Sequence, residues 1–426
     1  MKLRLDFAQG AALTNAVDNE TLPRHRWYPI KEGFSANLVR ASFHELDVKQ
    51  RETALAIEPF SGSGTTPVEC ARMGVNCLAF EVNPFLAFVG RTKLRQADPE
   101  QLRMVRETVL KGLARPMKSS LEGVSTFCES KQQDKSLFNR SVLRAFTGGW
   151  KAVQECAGKY QAFLRLALVR AAMDNCNAYP DGKCLRYKRL KSYAEFNEEA
   201  VMSRFIEHCK IIEEDLENNP LSTVESEVHC MDSRALAKYK RKQKFDLCVT
   251  SPPYLNSFDY SDVYRPELFL TGAVHNNDEL MRIRLRALRS HVQANWKAPK
   301  KDSFGTVYAK TIKEVQRQAD DLWSPRIPAM IQAYFEDMEN LLIALATRAN
   351  PRALLKIAVG TSAYGGIVVP VDLILADIAE AVGWELTEVQ VVRRLRSSPQ
   401  LWKHEDSAKN VPALRESIVV LRKPGK

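Results

Sequence analysis

The first stretch with the residues for chemistry is 245–254, where an apolar run ends in Ser251-Pro252-Pro253-Tyr254. Alternating large apolar and small polar residues before Ser251 predict a buried β-strand. The two prolines fix φ and remove two amide donors, so the chain continues neither as strand nor as helix. A hydroxyl, backbone carbonyls and an aromatic ring are therefore presented at a strand end, where open α/β sheets bind ligands. An ordinary Pro-Pro loop is the alternative.

The second stretch is a glycine-rich turn between an apolar run at 53–57 and a helical pattern that starts at Pro67. It reads Glu58-Pro59-Phe60-Ser61-Gly62-Ser63-Gly64-Thr65-Thr66. Glycines let the backbone approach a ligand closely, and the helix N-terminus offers free amides. The turn lacks the lysine of a phosphate loop and the full G-x-G-x-x-G pattern. These features favour a ligand that has a carboxylate and a ribose without a pyrophosphate.

An acidic residue ends the next predicted strand, which covers residues 77–80. This residue is Glu81, about 20 residues after the glycine turn, the distance at which such folds hold a ribose through its hydroxyls. We therefore expect Glu81 to bind a ribose; the alternative is a surface residue at the start of a turn.

The two turns together resemble the S-adenosylmethionine-dependent DNA amino-methyltransferases. Residues 58–66 are similar to that family's Asp-Pro-Phe-x-Gly-Ser-Gly-Thr-Thr cofactor motif, with Glu58 where aspartate is usual. Residues 250–254 are similar to its catalytic motif. Residues 28–42 resemble its additional cofactor helix, and Met231-Asp232-Ser233 resembles the turn that contacts adenine.

The resemblance implies S-adenosylmethionine as cofactor and double-stranded DNA as partner, and it leaves open whether a cognate restriction nuclease exists. Asp232 would accept from the adenine amine of the cofactor, or it would only cap a helix. The cofactor site implied by these motifs comprises Tyr28, Phe34, Glu58, Pro59, Phe60, Gly62, Ser63, Gly64, Thr65, Thr66, Glu81, Asn83, Asp232, Ser233 and Thr250.

The catalytic residues implied by the resemblance are Ser251, Pro252, Pro253 and Tyr254. The exocyclic amine of a base is a poor nucleophile because its lone pair is conjugated with the ring. The Ser251 hydroxyl and the Pro252 carbonyl can accept hydrogen bonds from that amine and orient its lone pair. Tyr254 can stack on a base swung out of the helix. This chemistry needs neither a metal nor a covalent intermediate.

The base is suggested by the first residue of the catalytic turn. Within the family, Ser-Pro-Pro-Tyr is more typical of cytosine N4 methylation and Asp-Pro-Pro-Tyr of adenine N6 methylation, with exceptions. We expect cytosine N4, and adenine N6 is the alternative. An RNA amino-methyltransferase and a non-catalytic nucleic-acid-binding protein are weaker alternatives. Methylation at cytosine carbon 5 is disfavoured because the sequence has no Pro-Cys turn.

The fold implied by the resemblance is α/β, a Rossmann-like, mixed, mostly parallel seven-stranded sheet with helical insertions. The core is expected at 20–95, 227–271 and 326–426. It would include a helix capped by Ser35, a strand at 353–360, a helix at 371–382 and a closing strand at 417–421. Residues 96–226 are expected to form a helical insertion with helices near 102–114, 143–156, 162–173 and 198–216.

Two basic segments are candidates for DNA contact. The helical insertion carries the basic run 186–191, and the insertion at 272–325 has no acidic residue between positions 281 and 301. His291, Gln293 and Asn295 lie in the second segment, and polar side chains of this kind read base edges. A solvated charged face is the alternative for both segments. The expected DNA-binding residues are Arg282, Arg286, Arg289, Lys297, Lys188 and Arg189.

Composition adds broad limits. The 426 residues carry a formal net charge of +11, a mild indication of a polyanionic partner. Nine cysteines without a Cys-x-x-Cys pair, and no apolar signal core or membrane span, lead us to expect a cytoplasmic protein. Cys176, Cys184, His208 and Cys209 lack the paired spacing of zinc ligands, so no metal is expected.

Overall fold

The computed structural model describes residues 3–6, 10–124, 126–128, 135–181, 185–188, 195–241, 243–395 and 413–425. The strands are β1 (Leu3–Leu5), β2 (Leu55–Glu58), β3 (Asn76–Glu81), β4 (Ala178–Pro180), β5 (Leu185–Tyr187), β6 (Ser226–Cys230), β7 (Phe245–Thr250), β8 (Ala349–Gly360), β9 (Ser362–Tyr364), β10 (Ile367–Val369), β11 (Glu385–Leu395) and β12 (Leu414–Arg422).

The helices are α1 (Gly10–Leu13), α2 (Ala36–His44), α3 (Val48–Glu52), α4 (Thr65–Arg72), α5 (Pro84–Lys93), α6 (Pro99–Leu113), α7 (Arg140–Val153), α8 (Gly158–Asp174), α9 (Glu198–Asn218), α10 (Tyr260–Val263), α11 (Arg265–Leu270), α12 (Asn277–Arg286), α13 (Thr306–Arg317), α14 (Ile327–Arg348) and α15 (Val371–Ala381). Short 3-10 helices cover Ala16–Glu20, His25–Trp27, Ser120–Gly123, Ser233–Lys238 and Ala319–Asp321. None of the helices in the described ranges is long and apolar enough to cross a membrane.

The main sheet has the strand order β1-β11-β12-β8-β7-β2-β3-β6. β12 runs antiparallel to both of its neighbours, and every other pair of adjacent strands is parallel. The expected α/β class with a mixed, mostly parallel sheet is confirmed. The expected number of seven strands is wrong, because β1 pairs with β11 and adds an eighth strand at the edge. This strand lies before residue 20, where the core was expected to begin.

Both faces of the sheet are covered. Alternate residues of β7 and β8 contribute to different hydrophobic clusters, so that Cys248 packs with α14 and α15 while Leu247 and Val249 pack with α2 and α4. This alternation follows from the two-residue period of a strand. After β2 the chain continues to β3 on one side of the sheet, and after β7 it continues to β8 on the other side. Between these two central strands the strand order reverses, and ligands bind outside the carboxyl ends at such a point.

The helices expected in the insertion are present as α6, α7, α8 and α9, and they pack around a separate hydrophobic cluster. That cluster also includes Phe258, Leu268 and Phe269, which follow the Ser-Pro-Pro-Tyr turn, and Leu280 and Ile283 of α12. The packing therefore joins the first insertion to the beginning of the second.

Candidate active site

A cleft with a cavity volume of about 240 Å³ lies at the carboxyl ends of the central strands. The two predicted turns form parts of the same cleft, although more than 180 residues separate them in the sequence. The predicted site residues that line it are Pro59, Phe60, Gly62, Glu81, Asn83, Ser233, Ser251, Pro252, Pro253, Tyr254 and Arg286.

The glycine turn needs glycine at two positions. Gly62 and Gly64 both have positive φ, 51° and 91°, which disfavours other residues. A Cβ at Gly64 would lie 2.9 Å from the Cα of Gly90, because the start of α4 passes close to α5. Ser63, Thr65 and Thr66 are buried at this start of α4 and do not line the cleft.

Glu58 lies beneath the turn rather than in the cleft. Its carboxylate is fully buried and accepts hydrogen bonds from the Phe60 amide (2.9 Å), the Thr250 hydroxyl (2.5 Å) and the Thr66 hydroxyl (2.9 Å). Burial raises the pKa of Glu58 to about 7, although these three hydrogen bonds act to lower it. Glu58 and Thr250, both predicted to bind the cofactor, thus join β2, α4 and β7 to one another.

Glu81 faces the cleft from the end of β3. One carboxylate oxygen accepts from the Gly62 amide at 2.8 Å, and the other accepts from the Asn83 amide at 2.7 Å. Burial raises the pKa of Glu81 to about 7, and the backbone hydrogen bonds act to lower it. The Asn83 side chain caps α5 through the amides of Phe85 and Leu86. The backbone of two turns therefore fixes the carboxylate at the edge of the cleft.

Three other predicted cofactor residues have internal roles. Asp232 caps the 3-10 helix Ser233–Lys238 and forms an ion pair with Arg234 at 2.8 Å. This is the capping role that the sequence offered as the alternative, and it is Ser233 that lines the cleft. Tyr28 is buried and donates to Glu267 at 2.6 Å. Phe34 is buried in the hydrophobic cluster to which the apolar residues of α2 belong.

The Ser-Pro-Pro-Tyr turn follows β7, whose six residues are all buried. The chain after the turn is held at two points. The Ser257 amide donates to the Ser290 carbonyl at 3.1 Å, and the Tyr364 hydroxyl donates to the Leu255 carbonyl at 2.9 Å. The Ser-Pro-Pro-Tyr turn is therefore braced by the second insertion and by the β9–β10 hairpin.

The cleft includes residues that were not in the predicted site. Thr14 and Glu32 line it, and each has a buried side-chain oxygen without a partner among the described residues. His291 lines it as well; the ring is buried, and its Nδ1 has no partner there. Burial lowers the pKa of His291, although the nearby Asp259 carboxylate acts to raise it. No local motif marks these positions; only His291 was noted, among the polar residues of the basic segment.

Predicted DNA contacts in the second insertion divide into exposed and buried side chains. Arg282 and Arg286 lie one helical turn apart on the exposed face of α12, and Arg286 also lines the cleft. Lys297 is exposed as well. Arg289, in contrast, is only 8% exposed, and its guanidinium pairs with Asp337 at 2.6 Å. This placement does not favour DNA contact by Arg289, because its charge is already paired inside the fold.

The first insertion contributes none of the described residues that line the cleft. Lys188 is half-buried, and its ammonium lies 4.5 Å from the ring centroid of Phe196. Arg189, the other predicted DNA contact there, lies outside the described residues, as does Cys184.

No group of three or more metal-ligating side chains occurs within the described part of the chain. Cys176 and Cys209 are buried, and Nε2 of His208 is instead hydrogen-bonded to the Asp174 carboxylate at 2.7 Å.

Along nearly its whole length the chain is similar to Type II methyltransferases. It is 24% identical over 462 residues to M.AvaI from Nostoc sp., covering 99% of this chain and 91% of that protein. It is 22% identical over 459 residues to M.BsoBI from Geobacillus stearothermophilus, covering 95% and 87%. A third relative, M.MjaII from Methanocaldococcus jannaschii, is 37% identical over 51 residues, which are 12% of this chain. No family model matches the chain.

Solved structures match only distantly. TrmN from Thermus thermophilus has a TM-score of 0.30 and 9% identity, covering 92% of this chain and 49% of that one. The rRNA methyltransferase aviRa from Streptomyces viridochromogenes has a TM-score of 0.29 and 11% identity, covering 97% and 90%. At these scores neither structure supports a statement about function.

Proposed function

We propose that this protein transfers a methyl group from S-adenosylmethionine to the exocyclic amine of a base in double-stranded DNA, at cytosine N4. The main support is one observation: the glycine turn and the Ser-Pro-Pro-Tyr turn line the same cleft. The similarity to Type II methyltransferases over nearly the whole chain agrees with this proposal.

The cofactor half of the cleft has groups that suit S-adenosylmethionine. The Glu81 carboxylate is held in place by two amides and can accept from ribose hydroxyls. Thr14 and Glu32 each provide a buried oxygen without a partner among the described residues, and buried polar groups are normally hydrogen-bonded. A ligand can supply that hydrogen bond. When bound, the cofactor supplies an electrophilic methyl group on a sulfonium. We assign Glu81, Gly62, Thr14 and Glu32 to holding it.

The other half of the cleft suits the target base. The Ser251 hydroxyl and the Pro252 carbonyl, which follow the central strand β7, would accept the two N–H groups of an exocyclic amine. Orienting that amine directs its lone pair to the methyl group. Because the reactants are then already positioned, less entropy is lost on reaching the transition state. The Tyr254 ring would stack on the base after it leaves the duplex.

Three exposed cations would hold the DNA backbone beside the cleft. Arg282 and Arg286 lie together on α12, and Lys297 follows in the same insertion. Contacts of this kind position a duplex and carry most of the salt dependence of binding. Arg286, at the rim of the cleft, would be the contact nearest to the reacting base.

Incubation of the protein with methyl-labelled cofactor and duplex DNA, followed by mass spectrometry of the digested nucleosides, tests the proposal. We expect N4-methylcytosine. N6-methyladenine as the product would correct the base, and methyl transfer only to RNA or protein would refute the proposal. Ser251→Ala should abolish turnover while calorimetry still detects cofactor binding. Ser362→Ala is the matched control, because Ser362 is buried in β9 and does not line the cleft.

A further inference from the structure

Tyr254 has a hydrogen-bonded partner from the opposite end of the chain. Its hydroxyl donates to Oε1 of Glu416 at 2.6 Å. Glu416 is 1% exposed and accepts two further hydrogen bonds from Arg393, at 2.6 Å to Oε2 and 3.1 Å to Oε1. Both Glu416 and Arg393 line the cleft. Neither belongs to the motifs from which the site was predicted.

Three adjacent strands place these groups in one row. Arg393 of β11 pairs in register with Glu416 of β12, and Glu416 pairs with Gly360 of β8. A Cβ at Gly360 would lie 2.9 Å from the Tyr254 ring. The ring therefore packs directly on the backbone of β8 while its hydroxyl is bound to β12.

This arrangement fixes the ring at both ends. Two prolines restrain the backbone that carries Tyr254, but they do not restrain the side-chain torsions. The hydrogen bond to the Glu416 carboxylate, which also accepts twice from Arg393, does restrain them. Burial and the Glu416 charge both raise the pKa of Tyr254 well above its usual value, so the hydroxyl remains a donor.

We propose that Glu416, itself held by Arg393, is a positioning residue that fixes the Tyr254 ring as the wall against which the target base stacks. The proposal rests on the proposed function, and it adds a residue and a role to it. A base that leaves the duplex then meets a preorganised aromatic surface, and no ordering of the ring has to accompany binding.

The test is a double-mutant cycle with Tyr254→Phe, Glu416→Ala and the two combined. Tyr254→Phe keeps the ring and removes only the hydroxyl. We expect each single variant to lower kcat about tenfold, the order of effect of one hydrogen bond to a charged group, with cofactor affinity unchanged. The double variant should be no slower than the slower single variant, because both changes remove the hydrogen bond between Tyr254 and Glu416. Glu416→Gln should recover part of the rate, since its carbonyl can accept from the Tyr254 hydroxyl while its NH2 group faces an N–H of Arg393.

Asp372→Ala is the matched control. Asp372 is buried on α15 and pairs with Arg415, the neighbour of Glu416 on β12, at 2.8 Å, but it does not line the cleft. We expect it to lower the melting temperature and leave kcat unchanged. If the losses of kcat caused by Glu416→Ala and Tyr254→Phe multiply in the double variant, the positioning role is refuted and Glu416 has a general structural role.

Crystal structures separate this proposal from the proposed function. If the wild-type protein methylates no DNA, the proposed function fails, and the position of the ring still decides the present inference. We expect the Tyr254 hydroxyl on Glu416 in the wild type and a displaced ring in Glu416→Ala. A ring that stays in place in the variant would overturn the inference.

Discussion

Glu58→Gln is expected to remove a pH-dependent part of the stability. The pKa of Glu58 is about 7 in the fold against an ordinary 4.5. A raised pKa means that the fold favours the protonated acid, so this contribution is complete below pH 4.5 and is lost as the pH rises through 7. A difference of about 2.5 pKa units corresponds to roughly 3 kcal/mol of unfolding free energy, because each unit is worth about 1.4 kcal/mol.

The hydrogen bonds show why glutamine can replace Glu58. Its carbonyl oxygen can accept from the Phe60 amide and the Thr250 hydroxyl, which share one carboxylate oxygen. Its NH2 then meets the Thr66 hydroxyl, which can accept while it donates to the Val249 carbonyl at 3.4 Å. The variant keeps the geometry and has no charge to bury.

Urea denaturation at pH 4.5 and at pH 8.5, followed by circular dichroism, measures the effect. We expect Glu58→Gln and the wild type to have similar unfolding free energies at pH 4.5, and the variant to be more stable at pH 8.5 by up to about 3 kcal/mol. Other titrating groups occur in both proteins and cancel in the difference. A difference that does not change with pH would refute the reasoning.

Glu81→Gln is the matched comparison. The pKa of Glu81 is also about 7, raised by burial, but both of its oxygens accept from backbone amides. The NH2 group of a glutamine at this position would face the backbone N–H of either Gly62 or Asn83, and two N–H groups cannot form a hydrogen bond with each other. We therefore expect Glu81→Gln to show no gain in stability at pH 8.5 and to weaken cofactor binding at least tenfold, measured by calorimetry. Unchanged affinity would argue against the ribose role of Glu81.

Two further comparisons test the glycine turn and the proposed DNA contacts. Gly64→Ala should lower the unfolding free energy by at least about 2 kcal/mol, because positive φ and a backbone contact at 2.9 Å both oppose a Cβ. Gly74 also has positive φ, but no atom lies within 4 Å of the position that a Cβ would take, so Gly74→Ala should lower the unfolding free energy by only roughly 1 kcal/mol. Equal losses at the two glycines would contradict the close contact. Arg286→Ala should weaken DNA binding and reduce its salt slope by about one. Arg289→Ala should instead destabilise the fold by about 3 kcal/mol or more, because it leaves the buried Asp337 without its main partner. If Arg289→Ala weakens DNA binding and leaves the stability unchanged, Arg289 contacts DNA and the reasoning is wrong.

The local sequence predicted the central strands β2, β3 and β7 and the turns that follow them. The strand expected before Ser251 is β7, the helix capped by Ser35 is α2, and the four insertion helices are α6 to α9. These elements follow from short-range physics: the two-residue period of a buried strand, the apolar stripe of a helix, and the backbone limits of proline and glycine. For the same reason both turns could be placed at strand ends.

The roles of single charged side chains could not be read in this way. Arg286 and Arg289 are three residues apart in one basic run, yet one is exposed at the cleft and the other is buried against Asp337. Glu58 and Glu81 both end strands next to the glycine turn, yet only Glu81 reaches the cleft. In each pair, contacts with residues distant in the sequence decide which side chain reaches the cleft and which is buried in the fold.

The sequence by itself thus determined the two turns and the class of chemistry that they can support. Only the tertiary structure decided which side chains share a wall of the cleft. Glu416 reaches Tyr254, 162 residues away in the sequence, because β12 inserts antiparallel between β8 and β11. Thr14 reaches the cleft from a segment that precedes every predicted element. Strand pairing and packing set these distances, and no local pattern encodes them.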